Sequence, residues 1–177
     1  MRTGNTEVRP LTVEATEALL VSNAEYRQRF GLDVAEDFLA FPEALPATLD
    51  ALRSGTPPEW FSYLIIDPTE RVVVGLGGFA GPPTEGVVEI GYSVAPAHRG
   101  RGHATDAARL WLRFAAQHGV PVVRAHTLAE TNASTAVLEK LGFQPVAEID
   151  DEEAGSVRRW ERPADRPSWY RGWQPSP

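Results

Sequence analysis

The stretch Glu89-Ile90-Gly91-Tyr92-Ser93-Val94-Ala95-Pro96-Ala97-His98-Arg99-Gly100-Arg101-Gly102-His103-Ala104-Thr105 changes its period halfway along. From Val87 to Ala95 the residues read as a strand, which Pro96 closes because it has no backbone N–H to give a ladder. Beyond Gly102, the residues Ala104, Ala107, Ala108, Trp111, Phe114, Ala115 and His118 recur at helical spacing until Gly119 stops the run. The turn between strand and helix holds two glycines, Gly100 and Gly102, and two arginines, Arg99 and Arg101. At a helix start several backbone N–H groups have no partner within the helix, and the dipole adds partial positive charge. Glycine omits the Cβ that would obstruct a phosphate, and arginine adds charge-assisted bonds. Such a turn is either a diphosphate cradle or a solvated helix cap, and its residues alone leave both readings open. It is not a P-loop, since no Gly-Lys-Ser/Thr ends it, and it does not match the GxGxxG of a dinucleotide fold.

Outward from this junction the pattern is strand-rich upstream. Phe61 to Asp67 and Arg71 to Phe79 read as strands joined by the turn Asp67-Pro68-Thr69-Glu70. Gly75-Leu76-Gly77-Gly78 precedes strand rather than helix and reads as close backbone packing or a bulge. Glu7 to Pro10 is a short first strand, and Thr12 caps a helix with Glu14 in its first turn. Val34, Phe38, Phe41, Leu45, Leu49 and Leu52 repeat at three and four, which predicts one helix before Pro42 and another from about Glu43 to Arg53. Downstream, Val122 to Thr127 is a buried-type strand. Asn132 caps a helix whose inner face is Val137, Leu138 and Leu141, with Gly142 at its end. Phe143 to Ile149 and Ser156 to Glu161 form a final pair of strands about the acidic turn Asp150-Asp151-Glu152-Glu153. The expected class is α/β in the α+β sense: a mixed sheet, β-α-α-β-β-β-α-β-α-β-β, with helices on both faces. Residues 163–177 form a Pro/Trp-rich tail, whose Trp169, Tyr170 and Trp173 either hang loose or anchor it to the domain or a second subunit.

Composition narrows the chemistry. The 177 residues are 42% hydrophobic, enough for one domain with a substantial core. No cysteine is present, which removes disulfides, thiolate metal sites and a cysteine nucleophile. The four histidines, His98, His103, His118 and His126, make no metal-binding spacing, so no metal is expected. A net charge of -7 disfavours general nucleic-acid binding. No apolar run approaches a membrane span, and the start lacks a secretory h-region, so the expectation is a cytoplasmic protein without a membrane partner.

Arg99-Gly100-Arg101-Gly102-His103-Ala104 resembles the [Arg/Gln]-x-x-Gly-x-[Gly/Ala] turn of the GNAT superfamily of N-acetyltransferases. Tyr92-x-Val94-x-Pro96 looks like that superfamily's fourth strand. A second block, Thr131-Asn132-Ala133-Ser134 with Val137-Leu138-Glu139-Lys140-Leu141-Gly142-Phe143, is similar to the signature of its RimJ/RimL-like branch. The resemblance implies the acyl-CoA N-acyltransferase fold, with strands four and five splayed, over residues 1–162. It implies acetyl-CoA as co-substrate, an amine as acceptor, and a homodimer as plausible for the branch. Main chain at Tyr92, Ser93 and Val94 would pair with the pantetheine arm, Arg99 to Ala104 would hold the pyrophosphate, and Asn132 would bond the pantetheine amide. Leu138 stands where many members carry a tyrosine that protonates the leaving thiolate, and the branch suggests Ser134 for that role instead.

Strand alternation places Glu89, Gly91 and Ser93 on one face and Ile90, Tyr92 and Val94 on the other. A carboxylate beside two small residues is a candidate general base, needed because a side-chain amine with a pKa of about 10 is protonated at neutral pH. A backbone N–H at a bulge near Val94 would stabilise the oxyanion. Each residue has a structural alternative: Glu89 pairs with an arginine on a neighbouring strand, Asn132 and Ser134 only cap their helix, and His126 is a hydrogen-bonded structural histidine. The functional expectation is direct acetyl transfer to a primary amine, of a small molecule or a protein N-terminus. The alternative is a catalytically silent acyl-CoA-binding sensor.

Overall fold

A computed structural model of the chain describes residues 1–130, 132–151 and 155–164. Its elements are β1 (Arg2–Thr3), β2 (Thr6–Pro10), α1 (Val13–Val21), α2 (Asn23–Phe30), β3 (Asp33–Val34), α3 (Ala44–Arg53), β4 (Ser62–Asp67), β5 (Val72–Phe79), β6 (Val87–Val94), α4 (His103–Gln117), β7 (Val122–Leu128), α5 (Ala133–Lys140), β8 (Gln144–Asp151) and β9 (Gly155–Pro163). The strands form one mixed sheet in the order β1-β2-β4-β5-β6-β7-β9-β8, with β3 added beside β5. The antiparallel run, the crossover through α4 and the closing hairpin follow the expected order. Thr131, Glu152, Glu153 and the tail aromatics Trp169, Tyr170 and Trp173 lie outside the described residues. β9 continues through Pro163, and Ala164 is buried with its N–H on Pro121 O.

The N-terminal helices differ from the sequence reading. Ser22 caps α2 by accepting the Glu25 N–H at 3.0 Å, and Gly31 ends it at φ 69. The helix expected before Pro42 is instead β3 and a succession of turns. Asp33 and Val34 pair in parallel with Val72 and Val73, and the Ala35 N–H bonds to Val73 O. A non-local ladder therefore overrides the local period. Phe38 is still buried, but Phe41 is 60% exposed, so the spacing marked burial only in part. The helix expected from Glu43 is present as α3, and Pro46 falls in its first turn, where a missing N–H is harmless.

Each face of the sheet carries its own core. On one face α4 and α5 cover β2 and β4 to β7 through Ala107, Ala108, Trp111 and Leu138 against Val8, Ile65, Val88, Ile90, Val123 and Ala125. On the other, Leu19, Tyr26 and Leu45 from α1, α2 and α3 pack on Leu64, Ile66, Val73 and Leu76. Among the described residues, none of β7, β8 or β9 belongs to this second core. The β4–β5 ladder shifts register between Ile65 and Ile66, and β5 runs close to its neighbours at the glycine run, as expected there.

β6 and β7 are the two strands that part. They pair in parallel only at Val87–Val122, Val88–Val123 and Glu89–Arg124. Past Glu89, β6 stays paired with β5 as far as Val94, while β7 stays paired with β9 as far as Leu128. Two ladders thus hold the outer edges while the inner edges separate, leaving a V-shaped opening whose apex lies at Glu89.

Candidate active site

The open edge of β6 follows from its hydrogen-bond phase. Ala80 N–H bonds to Glu89 O, and Ala95 N–H bonds to Val74 O, so the odd-numbered residues of β6 face β5. The main-chain groups of Ile90, Tyr92 and Val94 then point toward the opening. Val94 O accepts a bond from Arg99 Nε at 2.9 Å, which agrees with that phase. Main-chain N–H and C=O of Tyr92 are therefore available to an added strand-like ligand, whereas Ser93 has its main chain toward β5 and offers only its side chain. The register with β5 is continuous through Val94, so the N–H expected at a bulge faces the opening without one.

α4 begins at the end of this strand, and it begins uncapped. Gly102 is its N-cap at φ 89, with no side-chain cap. The first bond into the helix runs from the Asp106 N–H to Gly102 O, so the N–H groups of His103, Ala104 and Thr105 have no intrahelical acceptor. The N-caps of α1, α2 and α5 behave differently: Thr12, Ser22 and Asn132 each accept an N–H of their own helix, while Glu43 at the start of α3 makes no side-chain cap. Arg99 and Arg101 are both exposed at the turn. Arg101 NH1 donates to Glu70 at 2.7 Å, an exposed pair of small worth, and the Arg101 carbonyl accepts from Asn5. His103 contributes only main chain to this turn. Its ring is buried, 3.0 Å from Thr6 Oγ1 and 3.5 Å from Asp67 Oδ2, and burial holds it below the ordinary imidazole range.

On the far side of the opening, α5 starts at Asn132. Asn132 Oδ1 accepts the N–H groups of Ser134 and Thr135, while Thr135 Oγ1 accepts the Asn132 N–H: a capping box. The Asn132 Nδ2 donates to Glu130 O, so its amide is largely engaged within its own cap. Tyr92 OH donates to Ser134 O at 3.2 Å and ties β6 to α5 across the opening. Burial pushes the Tyr92 phenol well above its ordinary value, so it stays a donor. Leu138, one turn beyond Ser134, is buried in the core.

Glu89, Gly91 and Ser93 lie on the opposite face from α4: Ser93 is the cross-strand partner of Leu76, whose side chain belongs to the α1–α3 core. There the Glu89 carboxylate, 41% exposed, lies with its Oε1 2.9 Å from His126 Nδ1. For the arginine pairing that was the structural alternative, the strand beside it offers Arg124, its cross-strand partner, which is paired with Glu161 at 2.6 Å instead. His126 Nε2 in turn accepts from Arg159 Nε at 3.3 Å. Sequence alternation puts Arg124 and His126 on one face, yet only the β6–β7 and β7–β9 registers bring Glu89, His126 and Arg159 together. Arg159 was not among the sequence-derived candidates. Among the described residues no group of three or more His, Asp or Glu side chains is arranged to hold a metal ion, and no helix is long and apolar enough to cross a membrane.

This arrangement has known counterparts. The chain is 32% identical over 106 residues to the uncharacterized N-acetyltransferase YjdG of Bacillus subtilis, a match covering 58% of this chain and only 63% of that relative's length. It superposes on the ribosomal-protein-S5-alanine acetyltransferase of Vibrio fischeri with a TM-score of 0.67 at 15% identity, covering 99% and 98% of the two chains. It likewise superposes on Mycobacterium smegmatis RimJ, solved in complex with CoA-disulfide, with a TM-score of 0.65 at 16% identity, covering 92% and 85%. The acetyltransferase (GNAT) domain family matches residues 6–144, which takes in the open strand, the uncapped helix and the capping box, and the chain belongs to that family.

Proposed function

We propose that the chain transfers the acetyl group of acetyl-CoA directly to a primary amine, of a small molecule or a protein N-terminus. The observation that carries this reading is the conjunction of an uncapped helix start with an unpaired strand edge beside it. The free N–H groups at His103 to Thr105 and the cations Arg99 and Arg101 suit a diphosphate. The β6 edge at Tyr92 and Val94 suits an extended amide-bearing arm laid down as an added strand. Asn132 would contact that arm only through groups its cap leaves over.

Acetyl-CoA, when bound, supplies an activated acyl group whose thiol leaves readily, since a thiol of pKa about 8.5 needs little help from an acid. Glu89 removes a proton from the ammonium form of the acceptor, directly or through a water, and so exposes the nitrogen lone pair. The Val94 N–H, facing the opening, stabilises negative charge developing on the carbonyl oxygen. As the N–C bond forms and the C–S bond breaks, the nitrogen sheds its second proton to solvent, and Ser134 passes a proton to the thiolate and regains one from solvent, leaving thiol and amide. The ribosomal-protein-S5-alanine acetyltransferase supports a protein acceptor by fold alone.

Isothermal titration with acetyl-CoA, followed by thiol release across a panel of benzylamine, tyramine, lysine and an alanyl peptide, tests the reading. Binding and amine-dependent release are expected; absence of binding at millimolar acetyl-CoA would end it. Glu89→Gln is expected to lower kcat by about 10²- to 10⁴-fold while coenzyme binding persists. An unchanged pH–rate profile in that variant would remove Glu89 from the base role.

A further inference from the structure

Glu89, His126 and Arg159 form a chain across three strands, and its proton positions can be deduced. A guanidinium has donors and no acceptor. Arg159 Nε, 3.3 Å from His126 Nε2, therefore requires a lone pair on that nitrogen. The proton of the neutral ring must then sit on Nδ1, where it donates to Glu89 Oε1 at 2.9 Å. We infer that His126, held in its Nδ1–H tautomer between Arg159 and Glu89, is a positioning residue that fixes the Glu89 carboxylate with its second oxygen turned to the acceptor. The inference rests on the reading of Glu89 as the base and adds how that base is aimed.

Glu89 needs such an anchor. Its side chain is 41% exposed at the point where the β6–β7 ladder ends, with Gly91 next along that face offering no side chain to pack against it. One fixed hydrogen bond removes much of its rotamer freedom, and small errors of position are expensive in proton and acyl transfer. The nearest charges on this face along β7 and β9 pair with each other. Arg124, two residues before His126 on β7, and Glu161, two beyond Arg159 on β9, are paired with each other at 2.6 Å. The same geometry excludes a relay. His126 cannot carry away the proton that Glu89 takes, because Nδ1 already holds one and the Nε2 lone pair is engaged by Arg159. The proton must leave Glu89 to solvent.

The test uses the full chain labelled with ¹⁵N at histidine. Imidazole nitrogen shifts at mildly alkaline pH are expected to show His126 protonated at Nδ1, and Glu89→Ala combined with Arg159→Met, which removes the acceptor at Nδ1 and the donor at Nε2, is expected to abolish that preference. An Nε2–H ring in the unmodified protein, or a tautomer unmoved in the double variant, overturns the inference. This readout needs neither coenzyme nor acceptor, so a chain that fails to acetylate any amine defeats the functional reading while the tautomer result still decides the network. With the best amine of the panel, His126→Ala is expected to lower kcat about 10- to 100-fold with little change in acceptor KM. His126→Asn, whose amide nitrogen overlies the Nδ1 position, is expected to recover most of the loss, and His126→Gln is not. If Ala, Asn and Gln variants fall equally, or lose only thermal stability, His126 is a bracket between strands and the positioning role is wrong.

Discussion

His103 occupies the first position of α4, yet its ring is buried away from the turn. It lies among Thr6, Asp67, His98 and Arg101, with Asp106 one turn along its own helix. Burial disfavours the imidazolium and outweighs the attraction of Asp67, so the folded ring gives up its proton below the ordinary value near 6.5. The unfolded chain therefore binds a proton first as pH falls, and His103 contributes stability that is complete above about pH 6.5 and is lost progressively below it. Asp67 acts in a separate window. Burial raises its carboxyl, but the N–H bonds from Glu70 and Thr69 and the nearby cations prevail and hold it below 3.8, so its contribution disappears only below that value. Between neutral and mildly acidic pH the slope of stability is thus expected to come from His103. Thermal unfolding followed from pH about 7.5 to about 5.5 should show a steeper decline for the unmodified chain than for His103→Gln. Parallel declines would mean that the buried ring is protonated at no cost to the fold.

The helices of this chain differ most at their starts. Thr12, Ser22 and the Asn132–Thr135 box satisfy the first N–H groups of α1, α2 and α5, whereas α4, the longest among the described residues, opens on Gly102 with three N–H groups unclaimed. Gly102 holds a φ of 89 with nothing within 4 Å of an added Cβ, so Gly102→Ala introduces backbone strain rather than a clash. The expected loss of stability is about 1–2 kcal/mol. As the turn relaxes and its amides swing out of line, the Kd for acetyl-CoA is expected to rise about tenfold, roughly 1.4 kcal/mol. Titration calorimetry beside thermal unfolding checks both; stability lost with affinity intact would show that these amides do not hold the diphosphate. This junction was legible in the sequence because everything that defines it is local: Pro96 ends the strand, the glycines make the turn, and the period of α4 begins at once. The same is true of the Asn132 cap. The region of β3 was not legible, since Val34 and Phe38 repeat like a helix while the deciding interaction, a parallel ladder to Val72 and Val73, lies far along the chain. The partner of Glu89 escaped for the same reason. An arginine was the structural alternative, Arg124 is indeed opposite, and the registers of β7 and β9 hand it to Glu161 and leave His126 to Glu89.

At the scale of the molecule, one sheet separates two apolar cores and two functions. The α4–α5 face is packed, with Trp111 fully buried against the strands, while on the face bearing Glu89, Gly91 and Ser93 the Gly91 position is exposed. Two glycines one rung apart in the β5–β6 ladder report the difference. A Cβ on Gly77 would lie 2.6 Å from Gly91 O, 2.6 Å from Trp111 Cη2 and 2.9 Å from Tyr92 Cβ. Two of these neighbours are main chain or attached directly to it, and the third belongs to the largest side chain of the core, so none can yield cheaply. A Cβ on Gly91 meets nothing within 4 Å. Overpacking of this kind costs about 1–3 kcal/mol or more, and each kcal/mol shifts Tm by roughly 2–4 °C at this chain length. Gly77→Ala is therefore expected to lower Tm by about 2–12 °C or to abolish folding. Gly91→Ala should melt within a degree or two of the unmodified chain, roughly the range of a neutral surface change. Its methyl enters the space beside Glu89, so the same variant should bind acetyl-CoA normally and raise the KM of the acceptor. Equal melting temperatures for the two variants would mean that the sheet does not have one packed and one open face at this rung, and an unchanged acceptor KM in Gly91→Ala would place the amine elsewhere.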